Sequence, residues 1–375
     1  MIHRIIQNQV VKALKPAKVV GIFGPRRSGK TTLMNQIKAE IIGKVLVLHG
    51  ENLDAAEAMS SQRTSVLEQL VAGYDYLFID EAQRIPNIGV NLKLMVDTVP
   101  NVSILVSGSS AFDLKNKIGE PLVGRSHYFY LYPLSQLEIN PDRNYLTAQS
   151  NLERDLIFGS YPQVMTTESA EKKIEQLESI RNGYLLRDIL EMDNLKDSLF
   201  ILNLLRLIAF QIGNDISYSE LATNLNASGK TVHRYLEMLE KSYVLFSLPG
   251  FSRNLRKEYT KTPRYYFWDN GMRNAIINNF NNLNSRDDIG RLWENYCISE
   301  RMKMAEYTEL YANRYFWRTY DQKEIDLIEE RGGKLFGYEF KWREDKAKVP
   351  QEFLNTYPGS EFSVVNKENF LQFLG

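Results

Sequence analysis

The chain has 375 residues, 46 Lys+Arg against 46 Asp+Glu, 43% hydrophobic and 25% charged, the make-up of a globular protein with apolar mass for about two or three domains. Zero net charge excludes a uniformly basic nucleic-acid coat protein and an acidic tail protein. One cysteine, Cys297, excludes an internal disulfide, and the scattered histidines His3, His49, His127 and His233 lack metal-ligand spacing.

The opening segment puts Ile5, Ile6, Val10 and Leu14 at helical spacing, without the apolar block or cleavage site of a signal peptide. No stretch approaches the roughly 20 apolar residues that span a bilayer, so a cytoplasmic protein with no membrane partner is expected. Short β-branched runs at 19–23, 44–48, 76–79, 102–106 and 129–131 alternate with helical stretches, the pattern of an open α/β sheet. The polar run 138–150, with Pro141, reads as the end of this first domain, 1–145. Helical spacing over 171–190 and 196–212 predicts a small bundle or lid, 146–212. The segment 213–275 reads helix (218–225), turn, helix (231–242), strand (244–248), the outline of a winged helix-turn-helix. A last α/β domain, 285–375, opens with a helix at 289–305, followed by strands at 310–318, 325–328, 335–341 and 362–365.

Gly24-Pro25-Arg26-Arg27-Ser28-Gly29-Lys30-Thr31, with Thr32 after it, matches GxxxxGK[ST] between an apolar strand and a helix. Glycines let main-chain N–H groups wrap phosphate, and the helix N-terminus adds positive potential. Lys30 reaches the β- and γ-phosphates of ATP and Thr31 ligates Mg²⁺. The strand 76–79 then ends in Asp80 and Glu81, which supply a metal-holding acid and a catalytic base for hydrolysis. Ser109, at the end of the next strand, is the candidate sensor of the γ-phosphate, or a plain Ser/Gly turn. Arg125 is the candidate arginine finger, in its own chain or across a subunit interface, or a surface residue. Charge divides accordingly: residues 1–45 hold nine Lys+Arg and one acid, and residues 46–90 hold two Lys+Arg and seven acids.

GPRRSGKTTL, LFIDEAQ, SGSS, LVGR leading to YLYPLSQLE, and GSYPQV resemble, in this order, the motifs of a family of prokaryotic AAA+-type ATPases. YLLRDIL, TVHRYLEMLEKSYVLFSL and YYFWDNGMRNAI extend the resemblance over essentially the whole chain. The resemblance implies a P-loop ATPase domain followed by a winged helix and a further C-terminal region. It also implies Mg²⁺-ATP binding at Gly29, Lys30, Thr31, Asp80 and Glu81, a sensor at Ser109, a nucleotide-proximal element at 159–162, and assembly into a homo-oligomer. Ser160 stands in that element where a second glycine is common.

In the last domain Asp326 on one strand and Glu339 and Lys341 at i and i+2 on the next resemble the core of restriction-endonuclease-like nucleases, with Glu294 as the helical acid. Two acids would clasp a second divalent metal while the lysine polarises water or phosphate; the alternative is solvated charge on a sheet face. Around the winged helix, Lys230, His233 and Arg234 are candidates for DNA contact. The segment 251–275 adds Arg253, Arg256, Lys257, Lys261, Arg264 and Arg273, interleaved with Phe251, Tyr259, Tyr265 and Tyr266. A DNA partner is one reading and packing of the winged helix on the ATPase domain the other. Three functions stay open: an ATPase driving its C-terminal modules, an ATP-gated DNA nuclease, and a nucleotide switch without turnover.

Overall fold

The computed structural model describes residues 2–109, 122, 124–185, 198–252, 262–319, 323–343 and 351–375. Ser110, Arg253, Arg256, Lys257, Tyr259 and Lys261 lie outside the described residues. The chain divides into two compact units, 1–133 with 241–243, and 134–240 with 244–375.

The first unit is built on β1 (Val19–Phe23), β2 (Val45–His49), β3 (Tyr76–Asp80), β4 (Ser103–Gly108) and β5 (Ser126–Tyr130). They form one parallel sheet in the order β2-β3-β4-β1-β5. Every residue of β1 and β4 is buried, as expected for central parallel strands covered on both faces by helices. The helices Lys30–Glu40 and Ile88–Thr98 bury Leu33, Met34 and Ile37, and Ile88, Leu92, Met95 and Val96. Parallel strands share one C-terminal end, so the loops after β1, β3 and β4 gather there, and β4 places its end between those of β1 and β3.

The second unit opens where a polar run suggested a linker. Residues 138–150 instead hold the end of a short helix, Gln136–Ile139, and the first turns of another, Tyr145–Phe158, which buries Ala148, Leu152 and Leu156. Asn140 and Asn144 read as turn formers because they are caps: the Asn144 side chain accepts from the Thr147 N–H, and the Asn140 side chain donates to the Asn144 carbonyl and accepts from its N–H. The helix Ala170–Ile180 leads into a π-turn, Arg181–Leu185, and Ser198–Phe210 is a further helix. Helices Tyr218–Asn224 and Gly229–Lys241 follow, then an antiparallel pair, β6 (Leu245–Leu248) and β7 (Arg264–Phe267).

The basic stripe expected over 251–275 does not survive folding among its described members. Arg264 is 2% exposed and ion-paired with Asp215 and Glu324, and Arg273 is 1% exposed, bonded to the Ala209 carbonyl and Asp288. Phe251, Tyr265 and Tyr266 are buried, so their rings have no open face for bases. Such guanidiniums are structural because several acceptors meet each of them, which residue counting along the chain does not register.

The chain ends in a sheet of β8 (Asn313–Arg318), β9 (Glu324–Arg331), β10 (Lys334–Phe340) and β11 (Glu361–Val365), in the order β11-β10-β9-β8. β8, β9 and β10 run antiparallel and β11 joins parallel, the crossover between β10 and β11 carrying the helix Gln351–Thr356. Trp317, Ile325, Ile328, Leu335 and Phe353 form its core with Phe251. The helix Ile289–Tyr307 precedes this sheet and is bonded into its unit by Asn295, which grips both polar groups of Phe267. Among the described residues no helix is long and apolar enough to cross a membrane.

Candidate functional site

β1 delivers its C-terminal end to Gly24. A side chain there would place its Cβ 2.1 Å from the Leu131 carbonyl oxygen, so only glycine lets the loop leave the strand. Gly29 takes φ 100° and starts the helix Lys30–Glu40. Lys30 is 4% exposed and its Nζ donates to the Gly24 and Pro25 carbonyls at 2.9 Å each, an ammonium resting on the loop that would cradle an anion. Thr31 Oγ1 donates to Asp80 Oδ2 at 2.7 Å, tying the helix start to the end of β3. Arg26, Arg27 and Ser28 occupy the turn, and Thr32 is exposed in the first turn of the helix.

Asp80 is held from its other oxygen by Ser107 Oγ and by the Glu81 N–H. Glu81, with φ 53°, turns the chain out of the strand, and its carboxylate accepts from Gln83 Nε2, which also reaches Ser109 Oγ at 3.1 Å. Ser109 is thus linked to Glu81 through Gln83, whereas Ser107 grips Asp80 directly. Sequence reasoning chose Ser109 over Ser107 within the run 107–110; the position of β4 between β1 and β3 is what brings Ser107 to Asp80. It also missed Arg4, buried, whose guanidinium donates to the Ser28 and Tyr132 carbonyls at 2.6 and 2.7 Å and braces the loop. No motif marks a lone arginine twenty residues upstream of the loop. Hard oxygen donors at Thr31 and Asp80 beside a lysine-capped loop fit a magnesium-bound nucleotide.

Arg125 is elsewhere. β5 pairs with β1 from Val19↔Ser126 to Phe23↔Tyr130, so Arg125 stands at the N-terminal end of the strands. Five residues of strand, roughly 17 Å, separate it from the loop after Phe23, which removes a phosphate contact within its own chain. It forms an ion pair with Asp97, both side chains being well exposed.

In the second unit Glu294, Asp326, Glu339 and Lys341 come together from the helix Ile289–Tyr307, β9 and the end of β10. Glu294 accepts from Tyr266 Oη at 2.7 Å, Asp326 from the Phe340 N–H at 2.9 Å, and Lys341 Nζ meets Glu339 at 2.8 Å. Burial pushes the Asp326 carboxyl well up, and the charges of Glu294 and Glu339 push it further. Burial likewise raises Glu294, against the Tyr266 hydrogen bond and the Arg264 charge. For Lys341 burial works downward, but the bond to Glu339 and the charges of Asp326 and Glu294 hold it above its usual value. Among the described residues no group of three or more His, Cys, Asp or Glu side chains is set to hold a metal ion. Lys341 occupies Glu339, so the second divalent-metal site expected from the sequence has no ready ligand set.

These shifts carry a sign. A carboxyl raised on folding favours the folded state at low pH and costs stability as pH rises past its unfolded value. Asp326→Asn is therefore expected to stabilise the protein by about 1 kcal/mol near neutrality, more at about pH 8 than at about pH 5, as read from urea unfolding.

The element 159–162 is bound within its own unit. Gly159, at φ 68°, ends the helix Tyr145–Phe158, and the Ser160 N–H donates to Asp269 Oδ2 at 2.6 Å. Asp269 also caps the helix Asn270–Ile277 through the Met272 N–H, and a Cβ at Gly159 would sit 2.1 Å from its carboxylate. That contact accounts for the glycine without a nucleotide.

Residues 16–140 match the family model described as an AAA domain. The parallel sheet and P-loop of the first unit are thus similar to those of an AAA domain. Two further matches follow this one, both to domains of unknown function, DUF8612 over residues 149–283 and DUF4143 over residues 289–373. The uncharacterized protein Rv2008c of Mycobacterium tuberculosis is 27% identical over 334 residues, covering 88% of this chain and 71% of its own. The uncharacterized protein MJ1544 of Methanocaldococcus jannaschii is 25% identical over 319 residues, covering 79% and 69%. Among solved structures, the Walker-type ATPase PABY2304 of Pyrococcus abyssi aligns with 74% of this chain and 96% of its own, at 14% identity and a TM-score of 0.48.

Proposed function

We propose that the chain is a Mg²⁺-dependent ATPase whose nucleotide cycle drives its second unit. The observation that carries this reading is the Thr31–Asp80 hydrogen bond at the C-terminal ends of β1 and β3, which joins phosphate loop and acidic strand into one site. The N–H groups of the Gly24–Thr32 turn hold the phosphates, Lys30 leaves its carbonyl partners to meet the terminal phosphate, and Thr31 and Asp80 hold magnesium. Bound magnesium would supply charge neutralisation on the phosphate oxygens. Glu81 takes the proton of the attacking water, and Gln83 with Ser109 fixes its carboxylate. The test is steady ATP hydrolysis by purified protein. A single burst followed by a nucleotide-dependent change in assembly, without turnover, would replace the engine by a switch.

Arg125 acts across a subunit interface in this reading, since it faces away from its own phosphate loop. Specific activity should then rise with protein concentration, and Arg125→Ala should lower kcat by about 10³-fold. Mixing Arg125→Ala with Lys30→Ala should restore part of the activity, because mixed assemblies pair an intact loop with an intact arginine. Absence of recovery would remove the finger role and with it this argument for a homo-oligomer.

For the second unit the reading is a winged helix at 213–275 that contacts DNA through the exposed Lys230, His233 and Arg234 on the helix Gly229–Lys241. Stimulation of ATP turnover by double-stranded DNA, lost in Lys230→Ala/Arg234→Ala, tests it. A second reading, a restriction-endonuclease-like module that cleaves DNA, starts from the convergence of Glu294, Asp326, Glu339 and Lys341 and requires a divalent metal to draw Glu339 away from Lys341. DNA nicking that survives Asp326→Ala and Lys341→Ala would defeat it.

A further inference from the structure

The second unit contains a cavity of about 600 Å³, well within the range of small-molecule sites. Its wall carries Arg143, Arg301 and Arg331, with Tyr338, Phe373 and Met304 providing apolar surface. The acids that would neutralise these arginines are too few. Glu329, fully buried, accepts from Arg301 at 2.9 and 2.7 Å and from Arg314 at 3.1 Å, and lies 3.5 Å from Arg331. One carboxylate thus serves three guanidiniums, and the acidic groups lining the cavity are the Glu309 side chain and the Gly375 α-carboxylate, so the guanidiniums of Arg143, Arg301, Arg314 and Arg331 still outnumber the carboxylates around them.

The remaining arginines have donors to spare. Arg331 reaches Tyr338 Oη at 3.4 Å, a long contact, while its guanidinium lies 4.1 Å from the Phe336 ring centroid. Arg143 is exposed, with no side-chain ion pair or hydrogen bond among the described residues. Arginine forks match phosphate oxygens bidentately, and a concave site with surplus positive charge concentrates anions. Beside them the edge of Tyr338, its ring centroid 4.8 Å from that of Phe373, and the Met304 side chain offer a surface for a flat, apolar group.

We propose that this cavity is a binding site for a phosphate-bearing small molecule of mononucleotide size, with the phosphate on Arg143 and Arg331 and the ring against Tyr338 and Met304. The site is separate from the phosphate loop and from the cluster at Asp326, and does not rest on the function proposed for either.

The test is calorimetric titration of the full chain, with the phosphate loop first saturated by a non-hydrolysable ATP analogue, using AMP, inorganic phosphate and citrate as probes. AMP is expected to bind more tightly than inorganic phosphate. Arg143→Ala, at an exposed side chain without a hydrogen bond or ion pair among the described residues, is expected to weaken AMP by about tenfold or more. Ser363→Trp, at an exposed position of the cavity wall, should block it by volume while leaving the thermal midpoint near that of the parent. AMP binding unchanged by both substitutions, or none up to about 10 mM, a strength below roughly 3 kcal/mol, would overturn the site. Equal affinity for AMP, phosphate and citrate would overturn the ring-bearing ligand.

Discussion

Lys30→Ala is expected to lower kcat/KM for ATP by about 10²- to 10³-fold, the loss typical of one preorganised donor to a developing negative charge. The side chain is 4% exposed and its ammonium rests on two loop carbonyls, so it is already desolvated and confined to the phosphate turn. Removing it frees the Gly24 and Pro25 carbonyls at a cost of about 1–3 kcal/mol in a domain whose core lies elsewhere. The variant therefore folds, and the loss is read as function. Glu81→Gln should behave differently. Its amide can keep a bond to Gln83 but cannot take a proton, so nucleotide binding persists while kcat falls about 10²- to 10⁴-fold. Equilibrium binding of a fluorescent ATP analogue beside steady-state hydrolysis separates the two. Loss of binding in Glu81→Gln, or normal turnover in Lys30→Ala, would break the assigned division between holding phosphate and activating water.

The loop proposed to hold phosphate was legible because its pattern is local in sequence. The loop is eight consecutive residues, and Asp80 and Glu81 close an apolar run whose length fixes them at a strand end. The strands expected at 19–23, 44–48, 76–79 and 102–106 form within a few residues of those bounds. What stayed hidden depends on order across the sheet. Ser107 matters because β4 lies between β1 and β3, and Arg125 faces away because β5 runs parallel to β1, neither of which is written in spacing.

In the second unit the cluster at Asp326 was readable from strand alternation, yet its charge balance was not. The neighbours that raise Asp326 include Glu294, contributed by a helix some thirty residues earlier. Arg264 and Arg273 reverse their expected role for the same reason. Their acceptors, Asp215, Glu324, Asp288 and the Ala209 carbonyl, reach them only through the tertiary fold.

Glu329→Gln is expected to be among the most destabilising single changes in the second unit, by about 3–5 kcal/mol, the usual cost of leaving a buried partner charge uncompensated. Burial works to raise the Glu329 carboxyl, but the bonds and charges of Arg301 and Arg314 overcome it and hold it below its usual value. A carboxylate depressed on folding contributes stability that is present above its unfolded pKa and lost as pH falls through the folded one. The parent should therefore lose this contribution on acidification below about pH 4, and Glu329→Gln should show a flatter acid limb in urea unfolding. Arg301 is the guanidinium that cannot retreat, being 5% exposed and also bonded to the Phe373 carbonyl. Arg314 and Arg331 are less confined, so Arg301→Met combined with Glu329→Leu should recover much of the loss, as buried pairs replaced together by apolar groups often do. If the single and double variants unfold at the same denaturant concentration, unpaired charge is not the origin of the cost, and the surplus of guanidiniums attributed to the neighbouring cavity loses its foundation as well.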